Sequence, residues 1–168
     1  SNDRILLAIL VCLVLSLMVG IVNGVLVTVG RVAPIIATLA MNSVLFGAAL
    51  IYTDGSPYGA AAPAFKALAE GRIAGVPSSA IWWLAIALAL AYVLRRTTFG
   101  RWVYATGANG RAAYMMGVPV VAVTIAGYAL SSTLAMVGGL LLTAYIGNPS
   151  LGIGNPYMLG VPVVAVTI

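Results

Sequence analysis

The chain of 168 residues contains no histidine, one cysteine and only three acidic residues. Each shortage removes a class of chemistry. Without histidine the commonest general base and transition-metal ligand are gone. Cys12 lies inside an apolar run, so there is no disulfide framework and no cysteine metal site. No paired carboxylates, zinc motif or GxSxG elbow occurs, and the segment Gly107-Ala108-Asn109-Gly110-Arg111 lacks the Lys-Ser/Thr pair of a phosphate-binding loop. The apolar runs carry no ionisable residue of the kind an ion-driven carrier needs. The chain is therefore expected to use no cofactor, metal or catalytic residue of its own. If it moves a solute, the energy must enter from outside it.

What is present is apolar. Hydrophobic residues make up 62% of the chain and charged residues 7%, against about 25% charged in ordinary soluble domains. This composition predicts an all-α integral membrane protein, a polytopic helical bundle in one transmembrane domain over 1–168, with about four full spans and a partial C-terminal one. The net charge of +5 comes from basic residues separated by long uncharged stretches, which argues against nucleic acid and for a lipid environment.

The expected first span runs uncharged from Ile5 to Gly30, and Gly20 and Gly24 stand at the spacing that lets a neighbouring helix come close. A turn at Gly30-Arg31-Val32-Ala33-Pro34 precedes a second span from Val32 to Thr53, with Pro34 suited to its first turn. Thr38, Asn42 and Ser43 on that span are costly in hydrocarbon unless partnered; they serve either helix-to-helix hydrogen bonding or the lining of a substrate route. Residues 53–79 are rich in turn formers and read as an extramembrane loop with a short interfacial helix. A third span covers Ala80 to Leu94, starting near Ile73, with Trp82 and Trp83 as interfacial belt residues. Tyr128 to Ile146 is a further span, 147–156 a turn-rich break, and 157–168 the start of an apolar run too short to cross a bilayer. The twelve residues from Tyr114 to Ile125 recur with one difference from Tyr157 to Ile168. Two copies do not make a solenoid, and they are expected on opposite sides of the membrane.

Between the third span and the tail lies a polar stretch, Arg95 to Ala113, with four of the eight basic residues and no acid. With the first span running inward, Arg31, Arg95, Arg96, Arg101 and Arg111 fall inside with no acid, and Arg4, Lys66 and Arg72 fall outside with Asp3, Asp54 and Glu70. The bias toward basic residues inside makes 53–79 extracytoplasmic and 95–118 cytoplasmic. Thr97-Thr98-Phe99-Gly100-Arg101 can cap and start a short helix whose end Gly107 and Gly110 bracket. A short amphipathic helix offered to a partner and a solvated loop held by its charges fit the residues equally.

At these residues the chain resembles the permease subunits of bacterial ATP-binding-cassette importers for monosaccharides, the ribose-type family. The matching pieces are Gly30-Arg31-Val32, Ile36-Ala37-Thr38-Leu39, Tyr52 to Pro57, and above all Thr98 to Asn109, continued by Ala112-Ala113, Gly117-Val118, Ser131 to Leu141 and Gly152 to Tyr157. The resemblance implies a multi-pass protein of the bacterial cytoplasmic (inner) membrane, paired with a second copy as a homodimer. It further implies work with two cytoplasmic ATPase subunits and an extracytoplasmic sugar-binding protein. In that picture Thr98, Phe99, Gly100, Arg101, Tyr104, Ala105, Gly107, Asn109, Ala112, Ala113 and Gly117 form the ATPase-coupling loop, and substrate passes by alternating access. Other cargoes stay open: branched-chain amino acids, an inositol or a quorum-signal sugar. So does a membrane scaffold that transports nothing. Family members carry further spans before the first one here and more helices after the last, so the chain is expected to be a middle stretch of a longer permease.

Overall fold

The computed structural model describes residues 2–54, 72–73 and 76–146. Five helices account for nearly all of them: α1 (Asn2–Thr28), α2 (Pro34–Tyr52), α3 (Ser78–Arg96), α4 (Thr98–Met115) and α5 (Val120–Ile146). The all-helical expectation holds, apart from one minimal antiparallel ladder of β1 (Arg72–Ile73) with β2 (Val76–Pro77). In hydrocarbon each span must satisfy its own backbone N–H and C=O groups, which an α-helix does within the segment. Among the described residues three helices are long and apolar enough to cross a bilayer: Leu6–Thr28, Pro34–Tyr52 and Val120–Ala144. Ala80–Arg96 and Thr98–Met115 count as a fourth candidate if the pair, bent by 79° at its junction, is one broken span.

The last span begins at Val120, not at Tyr128 as its polarity suggested. Pro119 opens it, its carbonyl accepting from Val123 N at 3.0 Å. The β-branched run after Pro119 is a poor helix former in water, but in lipid the demand for backbone hydrogen bonds outweighs propensity. The first copy of the twelve-residue repeat straddles the end of α4 and the start of α5. Its second copy, the 147–156 break, the partial span and most of the 53–79 loop lie outside the described residues.

Burial is inverted relative to a water-soluble core. The buried apolar residues, among those described, are Ala37, Ala113, Val123 and Ala144, and the buried polar ones Asn23 and Ser78, while Ile51, Trp83 and many leucines stand exposed. Small residues face neighbouring helices and large ones face outward, as expected where lipid removes any hydrophobic reward for burying Leu or Ile.

The main packing contact joins α1 and α5. A Cβ on Gly20 would lie 2.6 Å from Ala129 Cα, and one on Gly24 2.8 Å from Ile125 Cα. Two backbones thus touch where neither glycine contributes a side chain. Position 20 faces residues 128–132 and position 24 faces 125, so the helices run antiparallel. The end of α1 at Thr28, followed by Arg31, consequently lies level with the start of α5. Arg31 closes the first turn in a left-handed conformation, φ 52. It thereby shares one end of the bundle with the α4–α5 turn.

Candidate functional site: the elbow between α3 and α5

Arg95 and Arg96 occupy the last turn of α3, where positive charge meets the negative end of the helix dipole. Thr97 makes the bend. Its hydroxyl donates to Val93 O of α3 at 2.6 Å and accepts from Gly100 N of α4 at 3.3 Å, so one side chain closes a C-terminus and caps an N-terminus. Gly100 is buried against the preceding helix; a Cβ there would sit 2.6 Å from Leu94 Cα and still closer to Leu94 O. Only glycine lets α4 leave α3 at this angle. Arg101 Nη2 donates to Thr98 Oγ1 at 3.3 Å and remains exposed.

Beyond the bend α4 runs regularly to the stretch between Gly107 and Gly110, the pair expected to bracket its end. The break falls at Asn109, which is extended (φ −159, ψ 99). Its Oδ1 accepts from Arg111 N at 3.1 Å and Ala112 N at 3.0 Å, capping a second short segment. That segment ends in a Schellman arrangement: Val118 N donates to Ala113 O and Gly117 N to Tyr114 O, each at 3.0 Å, with Gly117 at φ 82.

The coupling residues expected from sequence are all brought onto this element, in two groups. Gly100 and Ala113 are buried and Phe99 and Ala105 half-buried. Thr98, Arg101, Tyr104, Gly107, Asn109, Ala112 and Gly117 are exposed. The exposed basic and aromatic groups Arg101 and Tyr104 are three apart and share one helix face. Thr97 belongs with these residues; its cap role was legible from a threonine three positions before a glycine at a helix start.

Inward, Val103, Thr106 and Gly107 of α4 face Val123, Thr124, Gly127, Tyr128 and Ser131 of α5 across a cavity of about 340 Å³. A second cavity of about 270 Å³ lies between Trp83, Ile86, Ala87 and Leu90 of α3 and Leu134, Val137, Gly138 and Leu141 of α5. The two share one face of α5, through Gly127, Ser131, Leu134, Gly138 and Leu141 at helical spacing. The roughly opposite face, through Ile125, Ala129 and Ser132, meets α1. Two polar atoms, Asn23 Oδ1 and Thr106 Oγ1, are buried with no hydrogen-bond partner. Thr106 is unusual, because Thr28, Thr38, Thr124, Thr133 and Thr143 each bond back to the carbonyl four residues earlier. Nothing in the sequence distinguishes it.

Thr38, Asn42 and Ser43 lie on α2, away from both cavities. Thr38 Oγ1 donates to Pro34 O at 2.9 Å and Ser43 Oγ to Leu39 O at 3.1 Å. Thr38 and Ser43 are exposed and Asn42 half-buried. The structure does not bring them to the elbow. No cluster of three potential metal ligands occurs among the described residues. The elbow's chemistry is therefore that of a positively charged, hydrogen-bonded contact element.

Comparison with known proteins gives the same direction. A family model described as branched-chain amino acid transport system / permease component matches residues 2–168. The ribose import permease protein RbsC of Bacillus subtilis is 38% identical over 129 residues, covering 73% of this chain and 38% of that protein. The RbsC of Haemophilus influenzae is 33% identical over 156 residues, covering 89% of this chain and 48% of that protein. The autoinducer 2 import system permease protein LsrC of Escherichia coli is 36% identical over 137 residues, 80% of this chain and 40% of that protein. The chain thus spans under half the length of these curated relatives. No solved structure matches it.

Proposed function

Because the chain belongs to the family of branched-chain amino acid transport system permease components, we propose that it forms part of the membrane-spanning subunit of an ATP-driven sugar importer in the bacterial inner membrane. It carries no ATP site of its own in this reading. A separate cytoplasmic ATPase supplies the energy, an extracytoplasmic binding protein delivers the sugar, and a second permease copy completes the route, which opens by alternating access.

The observation that supports this most is the elbow itself. An acid-free element with Arg95, Arg96, Arg101 and Arg111 is capped at Thr97, Asn109 and Gly117 and emerges from apolar helices. A merely solvated loop needs none of these caps. A force applied to the exposed face at Arg101 and Tyr104 is carried to α3 through Gly100 and Leu94, and to α5 through Gly110 and the Gly117 turn. Arg101 supplies charge for an acidic partner surface, and Tyr104 supplies contact area.

The test is co-purification of the intact permease with its ATPase, together with sugar uptake, for wild type, Arg101→Glu and Gly107→Leu. Loss of ATPase binding in Arg101→Glu and loss of uptake in Gly107→Leu are expected. Unchanged binding and uptake in both would remove the coupling role. The similarity to an autoinducer 2 permease keeps a second cargo in view. Binding of ribose, autoinducer 2, inositol and branched-chain amino acids to the partner binding protein separates these cargoes.

A further inference from the structure

Asn109 divides α4 into two pieces with different attachments. The first, residues 98–108, is tied to α3: Thr97 bonds into both helices and Gly100 is wedged on the Leu94 backbone. The second, residues 110–115, is closed onto the turn that leads into α5 by the paired hydrogen bonds of Gly117 and Val118, with Ala113 fully buried and Gly110 nearest to Val120 of α5. Between them Asn109 is exposed, and the flanking glycines meet little: a Cβ on Gly107 would have nothing within 4 Å, and one on Gly110 only Val120 Cγ1 at 3.9 Å.

The hydrogen bonding at this point has two ways to close. In the kinked form Asn109 Oδ1 accepts from Arg111 N and Ala112 N. In a continuous helix the same two N–H groups would donate to the carbonyls of Gly107 and Ala108, four residues back. A bend at residue 109 interrupts three helical bonds, those donated by residues 110, 111 and 112, and Asn109 Oδ1 recovers two of them, so passing from one form to the other changes the count by only one. The bend at Thr97 is fixed instead by packing, because Gly100 lies directly against the Leu94 backbone.

We infer that Asn109 is the articulation of the elbow: the piece 98–108 moves with α3, the piece 110–115 moves with α5, and Asn109 switches between a capped kink and a continuous helix as they turn. The use of this joint in transport rests on the coupling role proposed above; the joint itself does not. Small hinges of this kind absorb rigid-body motions of packed helices in switching proteins.

The experiment places spin labels in the intact permease in lipid nanodiscs, after Cys12→Ser, and needs no ATPase. One pair, Leu88→Cys with Tyr104→Cys, spans only the Thr97 bend. The other, Tyr104→Cys with Val121→Cys, spans Asn109; all three sites are well exposed. The first pair is expected to give a single narrow distance, and the second a two-peaked distribution about twofold broader. Asn109→Ala, which removes the cap, should collapse the second distribution to one peak. Asn109→Ser, which keeps an acceptor oxygen, should preserve both peaks and guards against misfolding of the alanine variant. Equal widths for the two pairs, or a second distribution that Asn109→Ala leaves unchanged, overturns the inference. Failure of ATPase binding with a broad second pair would remove the coupling role and leave the joint standing.

Discussion

The α1–α5 seam and the α3–α4 elbow solve the same problem by opposite means. At the seam two helices are held by the absence of side chains, with Gly20 and Gly24 letting backbone meet backbone. At the elbow the chain is held by polar atoms that replace lost helical partners: Thr97, Asn109 and the Gly117 turn. The seam lies within spans that hydrocarbon surrounds, where packing of small residues is the available attraction. The elbow interrupts the helical ladder, so every freed N–H and C=O must be met locally. The seam should therefore be intolerant of volume, and the elbow intolerant of losing a donor or acceptor, with Gly100 the one elbow residue that behaves like the seam.

The largest expected effect comes from adding volume where backbones touch. Gly24→Leu and Gly100→Ala should each destabilise the protein by about 3 kcal/mol or more, because the atoms they strike are backbone and cannot swing aside. Thermal unfolding in detergent measures this, and a wild-type midpoint in either variant would break the comparison. Next in size is the loss of a cap: Thr97→Ala should cost about 1–2 kcal/mol while Thr97→Ser stays near wild type. If serine is as damaging as alanine, the methyl group and not the hydroxyl holds the bend.

Parts of this contrast were readable before any coordinates. The Gly20–Gly24 spacing announced a close approach, but not that its partner lies a hundred residues on, because small-residue spacing marks a face and carries no information about what covers it. The threonines at 97 and 98 marked a helix start, and Gly107 and Gly110 bracketed its end, which falls between them at Asn109. What the sequence left unread is the second short segment, which a single asparagine carbonyl oxygen restarts after the break. The last span, expected from Tyr128, starts at Val120 instead, because in lipid the demand for backbone hydrogen bonds outweighs the low helix propensity of the β-branched run before Tyr128. The cavity residues Thr106, Gly127 and Ser131 were missed because they belong to two helices whose register only packing decides.

Smaller effects sharpen the contrast. Gly107→Ala meets open space, so it should leave stability unchanged or raise it by up to about 1 kcal/mol. The same chemical change at Gly100 is among the most damaging, and similar values at the two sites would mean that the elbow is not wedged against α3. Arg31→Gly relieves a left-handed arginine and should gain about 1 kcal/mol in unfolding measurements. It also removes one of the basic residues assigned to the inner face.

Cross-linking tests the central claim, that the exposed face of the elbow is where the driving ATPase engages, most directly. With Cys12→Ser as background, Tyr104→Cys in the intact permease should form a covalent adduct with its co-expressed ATPase. Ile51→Cys, more exposed still and at the far end of α2, should form none. An adduct at position 104 that disappears with Arg101→Glu is the predicted result; no adduct at 104, or one of equal yield at 51, would contradict it.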